Sequence, residues 1–191
     1  MTRIIGGTAG GRRLQTPAGE ATRPTADRVR EALFSALEAQ FGSLHGLRFL
    51  DLYAGSGAVG LEAWSRGAGV VTLVEQDRRT ASMISANARD LGFNKAHVVT
   101  APVAGALARS PAAPYDVAFL DPPYAQPEDD LAADLVALVD QDWLVPGAMV
   151  VVERGSRGGE PAWPDGFGES REKKYGETVL WYVHAAASTT A

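Results

Sequence analysis

Cysteine is absent from the 191-residue sequence, which excludes disulfides, a thiolate zinc site and a cysteine nucleophile. Histidine is scarce: His45, His97 and His184 are scattered without ligand spacing, so no metal site is expected. No apolar run approaches the ~20 residues of a membrane span. The opening stretch, MTRIIGGTAGGRR, lacks the long apolar core of a secretory signal. Internal repeats are missing as well. These absences point to a cytoplasmic protein with no membrane partner.

What is present is ordinary in amount and uneven in placement. The chain is 46% hydrophobic and 21% charged, a globular composition at a length that fits one domain with a short appendage. Its net charge is −5, yet residues 1–30 carry Arg3, Arg12, Arg13, Arg23, Arg28 and Arg30 against Glu20 and Asp27, a balance of +4 that leaves −9 on the rest. A basic arm on an acidic body suits a polyanionic partner. A merely solvated, arginine-rich terminus is the plain alternative, and charge alone leaves both open.

The hydrophobic pattern predicts an α/β fold. Residues 3–16 read as two short strands around a glycine-rich turn. The stretch RPTADRVREALFSALEAQFG (23–42) reads as a helix, with Thr25 as N-cap, Asp27 in the first turn, Val29, Ala32, Leu33, Ala36 and Leu37 as its apolar stripe and Gly42 ending it. From residue 48 strands and helices alternate: strands at 48–53, 70–75, 97–100, 115–120 and 148–153, and helices at 57–66, 78–91, 103–108 and 129–144. The strands are apolar without strict alternation, as in a parallel sheet covered on both faces. A hairpin turning near Gly176 adds antiparallel strands. Trp64, Trp143 and Trp181 read as core residues, and Trp163, in a Pro/Gly-rich loop, as a candidate for exposure. Expected boundaries are a basic hairpin-and-helix extension over 1–42, the main domain over 43–185 and a disordered tail over 186–191. In such a sheet ligands bind beyond the C-terminal strand ends. That rule lines up Asp51–Gly57, Glu75–Asp77, Ala101–Val103 and Asp121–Tyr124 on one rim.

Two rim segments carry recognisable chemistry. In DLYAGSGAVG (51–60), Gly55, Gly57 and Gly60 satisfy the G-x-G-x-x-G spacing that lets a nucleotide approach the backbone. Glu75, at the end of the next strand, is placed to accept hydrogen bonds from ribose hydroxyls. A carboxylate at Asp51 is a poor neighbour for pyrophosphate but suits the cationic sulfonium and ammonium of S-adenosylmethionine. This favours S-adenosylmethionine over NAD, while leaving a nicotinamide oxidoreductase as the alternative. The second segment, FLDPPY (119–124), closes an apolar strand with residues that strands avoid. An exocyclic amine on a nucleobase is a weak nucleophile because its lone pair is delocalised into the ring. The Asp121 carboxylate and the Pro122 carbonyl can hold the two amine hydrogens, and Tyr124 can stack on the base.

With both motifs in place, the chain resembles the class I S-adenosylmethionine-dependent methyltransferases that modify exocyclic amines. Five blocks, RIIGGTAGGRRL, TRPTADRVREALF, FLDLYAGSGAVGLEAWSRGA, FLDPPY and KYGETVLWY, resemble the RsmD family over nearly the whole chain and in its order. The resemblance implies a Rossmann-like, mostly parallel seven-stranded sheet with an antiparallel C-terminal hairpin and a small N-terminal β-hairpin plus helix. It implies methylation of the N2 amine of one guanine in bacterial 16S ribosomal RNA, within the small subunit or an assembly intermediate, by a monomeric enzyme. Adenine N6, protein glutamine and a non-catalytic ribosome-assembly role remain alternatives.

By the same resemblance Asp121, Pro122 and Tyr124 are catalytic. Asp51, Tyr53, Ala54, Gly55, Ser56, Gly57, Glu75, Gln76, Val103 and Thr25 bind the cofactor, with Arg28 a further candidate for its carboxylate. Arg3, Arg12, Arg13, Arg23 and Arg28 contact RNA. One departure is visible: where many relatives carry an acid after the third strand of the alternating region, this chain has TAPVAG, so backbone near Ala101–Val103 is expected to serve the adenine. Arg171, Lys173 and Lys174 read as the solvated face of an edge strand. Only 60 residues separate Gly60 from Asp121, which leaves no room for a separate target-recognition domain.

Overall fold

Each alternating apolar run becomes a strand. The computed structural model describes residues 1–19 and 24–187, with Pro24 and Thr25 by backbone alone. In chain order the elements are β1 (Thr2–Arg3), β2 (Arg13–Leu14), α1 (Pro24–Phe41), β3 (Arg48–Leu52), α2 (Ala58–Ser65), β4 (Val70–Glu75), α3 (Arg78–Asp90), β5 (His97–Thr100), α4 (Val103–Leu107), β6 (Tyr115–Leu120), α5 (Glu128–Asp140), β7 (Leu144–Gly155), β8 (Arg171–Tyr175) and β9 (Thr178–His184). The large sheet has the order β5-β4-β3-β6-β7-β9-β8, and β1 pairs with β2 on its own. Strands β3 to β7 are parallel, and β9 and β8 close one edge antiparallel, as the terminal hairpin predicted.

The inner parallel strands β3, β4 and β6 are apolar at nearly every position because both faces are covered. Phe49, Val71, Leu73, Val117, Phe119 and Val151 pack with α1, α2 and α3, while Leu50, Leu52, Val74, Leu120 and Val152 pack with α4 and α5. In α1 the buried stripe is wider than its spacing predicts: Phe34 is fully buried and stacks on Phe49 at 6.0 Å between ring centroids. Trp64 stacks on Phe93 and Trp143 on Tyr115. Trp163 is half-buried against Phe167 rather than exposed.

The helix expected over 129–144 stops earlier, at Asp140. Asp142 takes the left-handed conformation at φ 55°, its N–H bonds to the Val139 carbonyl, and the Trp143 N–H bonds to Leu138. This is a Schellman stop built on Asp instead of Gly, so its usual sequence signal is missing. Strand β7 starts at Leu144, inside the expected helix, and extends beyond the strand expected over 148–153 at both ends.

The N-terminal extension is bolted to the sheet layer. Ile5 and Gly6 donate their backbone N–H groups to Glu62 on α2, each at 2.8 Å. Ala9 N–H bonds to Ser65 Oγ at 2.9 Å, and Asn87 on α3 holds both the N–H and the carbonyl of Gln15. Glu62 is fully buried between Arg66, at 3.0 Å, and Arg30, at 3.6 Å. Arg30 therefore belongs to the interior and not to the basic surface. Hairpin, α1 and sheet share one hydrophobic cluster through Ile4, Leu14, Leu33, Phe34 and Phe49. Of the remaining expectations, the Thr25 side chain, Arg23 and residues 188–191 lie outside the described residues.

Candidate active site

The strand order reverses between β3 and β6, and this is where a doubly wound sheet opens a crevice. Their register pairs Leu52 with Leu120, so the glycine loop and the DPPY elbow leave the sheet side by side. Each segment is shaped by its acid. Asp51 is 1% exposed beneath the loop, and its Oδ2 accepts the Gly60 N–H at 2.9 Å. It thereby caps the N-terminal turn of α2, a task that Gly57 at the N-cap has no side chain to perform. Burial pushes the Asp51 carboxyl up to about 8, with the charges of Asp121 and Glu75 adding to the shift and the Gly60 N–H opposing it. Glu75 accepts the Gly55 N–H at 3.0 Å through one oxygen and the Asp77 N–H at 2.8 Å through the other.

Tyr53 begins the loop in the left-handed conformation, at φ 61°, a strained position for a non-glycine residue. Its hydroxyl donates to Asp134 of α5 and accepts from Gln126 at 2.5 Å. Burial, reinforced by the bond to Asp134, raises its pKa, and burial also raises that of Asp134. Loop, elbow and α5 are thus tied together by one phenol.

Two cavities meet at the elbow. The smaller, about 280 Å³, is lined by Tyr53, Gly55, Glu75, Gln76, Val103 and Asp121, with Val74, Ala101 and Pro123. The larger, about 570 Å³, runs from Asp121, Pro122, Pro123 and Tyr124 to Glu153, Arg154 and Arg157 on β7 and the loop after it. Asp121 and Pro123 line both. Tyr124 is 91% exposed. Its ring lies over Gly155, where an added Cβ would fall 2.8 Å from Cε1. Glu153 follows Val152, the last β7 residue paired with β6, and its carboxyl is pushed up to about 8 by burial first and by the charge of Asp121 second.

The structure brings half of the expected cofactor residues to the smaller cavity and sets others behind it. Tyr53, Gly55, Glu75, Gln76 and Val103 line it. Asp51 supports the loop from below. Ala54 is buried, with its N–H on the Val74 carbonyl, and Ser56 gives its carbonyl to Asn87 at 3.4 Å. Gly57 bonds back to the Ala54 carbonyl. At the departure after β5, the Ala101 N–H is taken by the Glu75 carbonyl at 3.1 Å and Pro102 has none, while Ala101 and Val103 both line the cavity.

The expected RNA-contacting arginines differ in freedom. Arg13 and Arg28 are exposed, Arg3 is near Asp27 at 3.9 Å, and Arg12 donates to the Asp90 carbonyl at the end of α3. Arg171, Lys173 and Lys174 are exposed on the edge strand, as expected. Among the described residues no group of acids and histidines could hold a metal ion. Sequence reading did not single out Glu153, Asp134, Gln126 or Glu62. For Glu153 a signal existed: it ends an apolar parallel strand with an acid, as Glu75 does.

Comparison with known proteins agrees with this geometry. A family model described as "Conserved hypothetical protein 95" matches residues 2–184. The chain is 38% identical over 177 residues to the Ribosomal RNA small subunit methyltransferase D of Escherichia coli strain K12, spanning 93% of this chain and 86% of that protein. It is 37% identical over 155 residues to the methyltransferase of the same name from Haemophilus influenzae, spanning 79% and 77%. The solved structure of yhhF from Escherichia coli matches with a TM-score of 0.84 at 34% identity, over 97% of this chain and 98% of that one. With the five sequence blocks, the sheet order and these relatives in agreement, the chain belongs to the RsmD family and has the class I methyltransferase fold.

Proposed function

We propose that the protein transfers a methyl group from S-adenosylmethionine to the exocyclic N2 amine of one guanine in bacterial 16S ribosomal RNA. One observation carries the reading: the elbow is the common wall of the two cavities, so an amine held there from one side faces a cofactor on the other. The smaller cavity fits this cofactor. Its described lining holds Glu75 and Asp121 and no lysine or arginine, which suits a cationic sulfonium and opposes a pyrophosphate. At Gly55, with φ +56°, a Cβ would meet nothing within 4 Å, so the backbone is bare on its open side.

In this reading Glu75 receives the ribose hydroxyls, since each oxygen keeps a lone pair beyond its backbone bond. Gln76 and Val103 flank the adenine, and Tyr53 and Gly55 border the methionine end. The cofactor supplies a methyl group on sulfonium, whose transfer forms the N–C bond, breaks the S–C bond with its electrons left on sulfur, and releases one proton. The Asp121 carboxylate and the Pro122 carbonyl each accept one amine hydrogen, which aims the nitrogen lone pair toward the cofactor cavity. Asp121 then takes the released proton. Tyr124 offers its exposed ring as a stacking surface, worth about 1–3 kcal/mol. Positioning of the two reactants supplies up to roughly 7–11 kcal/mol of the barrier.

The substrate in this reading is the small subunit or an assembly intermediate, met by a monomeric cytoplasmic enzyme. The target guanine leaves its stack or already stands splayed out in a loop. The rim and the basic hairpin must choose the target, because no separate recognition domain fits between the motifs. No described helix is long and apolar enough to cross a membrane.

The test is incubation of the protein and labelled cofactor with small subunits lacking the modification, followed by mapping of the methylated nucleotide. Asp121→Ala is expected to bind S-adenosylmethionine as the wild type does and to lose transfer by about 100-fold or more. Label on adenine or on a protein glutamine, or calorimetric binding of NAD in place of S-adenosylmethionine, overturns the reading.

A further inference from the structure

We propose that Glu153 is a specificity residue, which selects guanine over other amine-bearing bases by pairing with the N1–H and O6 edge beside the amine. The proposal rests on the reading above, in which the elbow holds a nucleobase amine.

The placement comes from the sheet. Strands β6 and β7 pair Phe119 with Val151 and Leu120 with Val152, so the next residues along, Asp121 and Glu153, lie side by side where the pairing of the two strands ends. Both line the larger cavity together with Tyr124, the ring on which the base is to stack. Glu153 is half-buried and makes no hydrogen bond or ion pair with the described residues. Its neighbour Arg154 is taken by Glu128 from α5. Leaving a desolvated carboxyl without a donor is costly, and a purely structural acid at this point would be expected to have one. An unpaired carboxyl beside the amine-holding acid, open to the cavity, is poised for a ligand instead.

The chemistry of that ligand follows from the edge it must present. Guanine, with its N2 amine on Asp121 and Pro122, offers N1–H and then O6 along the same side, a donor followed by an acceptor. A protonated carboxyl offers the matching pair, a carbonyl acceptor and a hydroxyl donor. Burial and the nearby Asp121 charge keep Glu153 in that form at neutral pH. Adenine held by its own amine presents a bare ring nitrogen followed by C–H, which leaves the carbonyl oxygen unpaired. Cytosine presents two acceptors, one of them against that oxygen. Of the three bases only guanine satisfies both Glu153 oxygens.

Two variants test the proposal: Glu153→Met, which keeps the volume and removes both hydrogen-bonding groups, and Glu153→Gln, which keeps an acceptor and a donor but cannot ionise. Each is assayed for methyl transfer to small subunits lacking the modification, for calorimetric binding of S-adenosylmethionine, and for thermal melting. Glu153→Met is expected to melt no lower than the wild type, to bind the cofactor equally well, and to lose about 10- to 100-fold in kcat/KM. Glu153→Gln is expected to stay within about 3-fold of the wild type. Wild-type kcat/KM in Glu153→Met overturns the proposal. So does an equal fall in both variants, which requires an ionisable group, and so does loss of cofactor binding in either variant, which makes the residue structural. Failure of the wild type itself to methylate guanine refutes the underlying function instead, and is seen in the same assay before any variant is compared.

Discussion

Replacing Glu62 by glutamine should loosen the N-terminal hairpin without touching either cavity. Glu62 is fully buried on α2, and its two oxygens accept the Ile5 and Gly6 N–H groups at 2.8 Å each. It also bonds Arg66 Nε at 3.0 Å and faces Arg30 Nε at 3.6 Å, with Arg30 itself 6% exposed. An amide nitrogen in place of one oxygen sets a donor against a donor at Ile5 or Gly6, and removes the charge that compensates two guanidinium groups. Burial already lowers the pKa of Arg30, and only the charges of Glu62 and Asp27 oppose that shift. Breaking a buried pair by removing one partner costs about 3–5 kcal/mol. Against the 5–15 kcal/mol typical of a whole domain, this is a large share. Urea denaturation is the assay, with the slope checked so that a midpoint shift reports stability. S-adenosylmethionine binding should survive below the transition, since none of the polar partners of Glu62 described above (Ile5, Gly6, Arg66 and Arg30) lines the smaller cavity, while affinity for the ribosomal substrate falls with the hairpin's loss of position. A midpoint cost under about 1 kcal/mol would show that the carboxylate is not what holds the hairpin.

Three further outcomes follow from the site. Asp51 holds its proton in the native state up to about pH 8, against an ordinary value of 3.8, so its contribution to stability is full below the ordinary value and is lost as pH rises through about 8. Urea midpoints of the wild type should therefore fall between about pH 4 and 8 and level off above that, and those of Asp51→Asn, which keeps an acceptor for Gly60, should fall less; parallel pH profiles would refute this. Gly155→Val puts a branched side chain where Tyr124 now lies and should cost about 5- to 100-fold in methyl transfer, the worth of a stacked base, with stability little changed because Tyr124 is exposed; unchanged kcat/KM would remove Tyr124 from the mechanism. Arg13→Gln should lower the salt dependence of substrate binding by about one phosphate contact. Arg12→Gln should instead act on the end of α3, where Arg12 holds the Asp90 carbonyl, and a melting curve separates the two.

Much of the fold was legible because its signals are local. Strands β3, β4 and β6 follow the apolar runs closely, since a parallel strand buried on both faces needs an apolar residue at nearly every position. The boundary error at the end of α5 came from Asp142 performing a glycine's task, which no spacing rule announces. The same limit applies to Arg30, which reads as one more arginine of a basic arm. Only its neighbours Glu62 and Asp27 show that its charge is spent inside the protein.

By itself, the sequence determined the order of strands and helices, the glycine loop with its acid, and the stiff elbow at 119–124. All three depend on residues within a few positions of one another and on the rule that loops after parallel strands share a rim. Tertiary structure alone decided that Asp51 supports the loop from beneath, that Asp121 divides two cavities, that Glu153 lies beside it, and that Glu62 fastens the hairpin across a separation of 57 residues. Burial and desolvation are properties of neighbours distant in the chain, and they are what turn an ordinary acid into one that caps, clamps or keeps its proton.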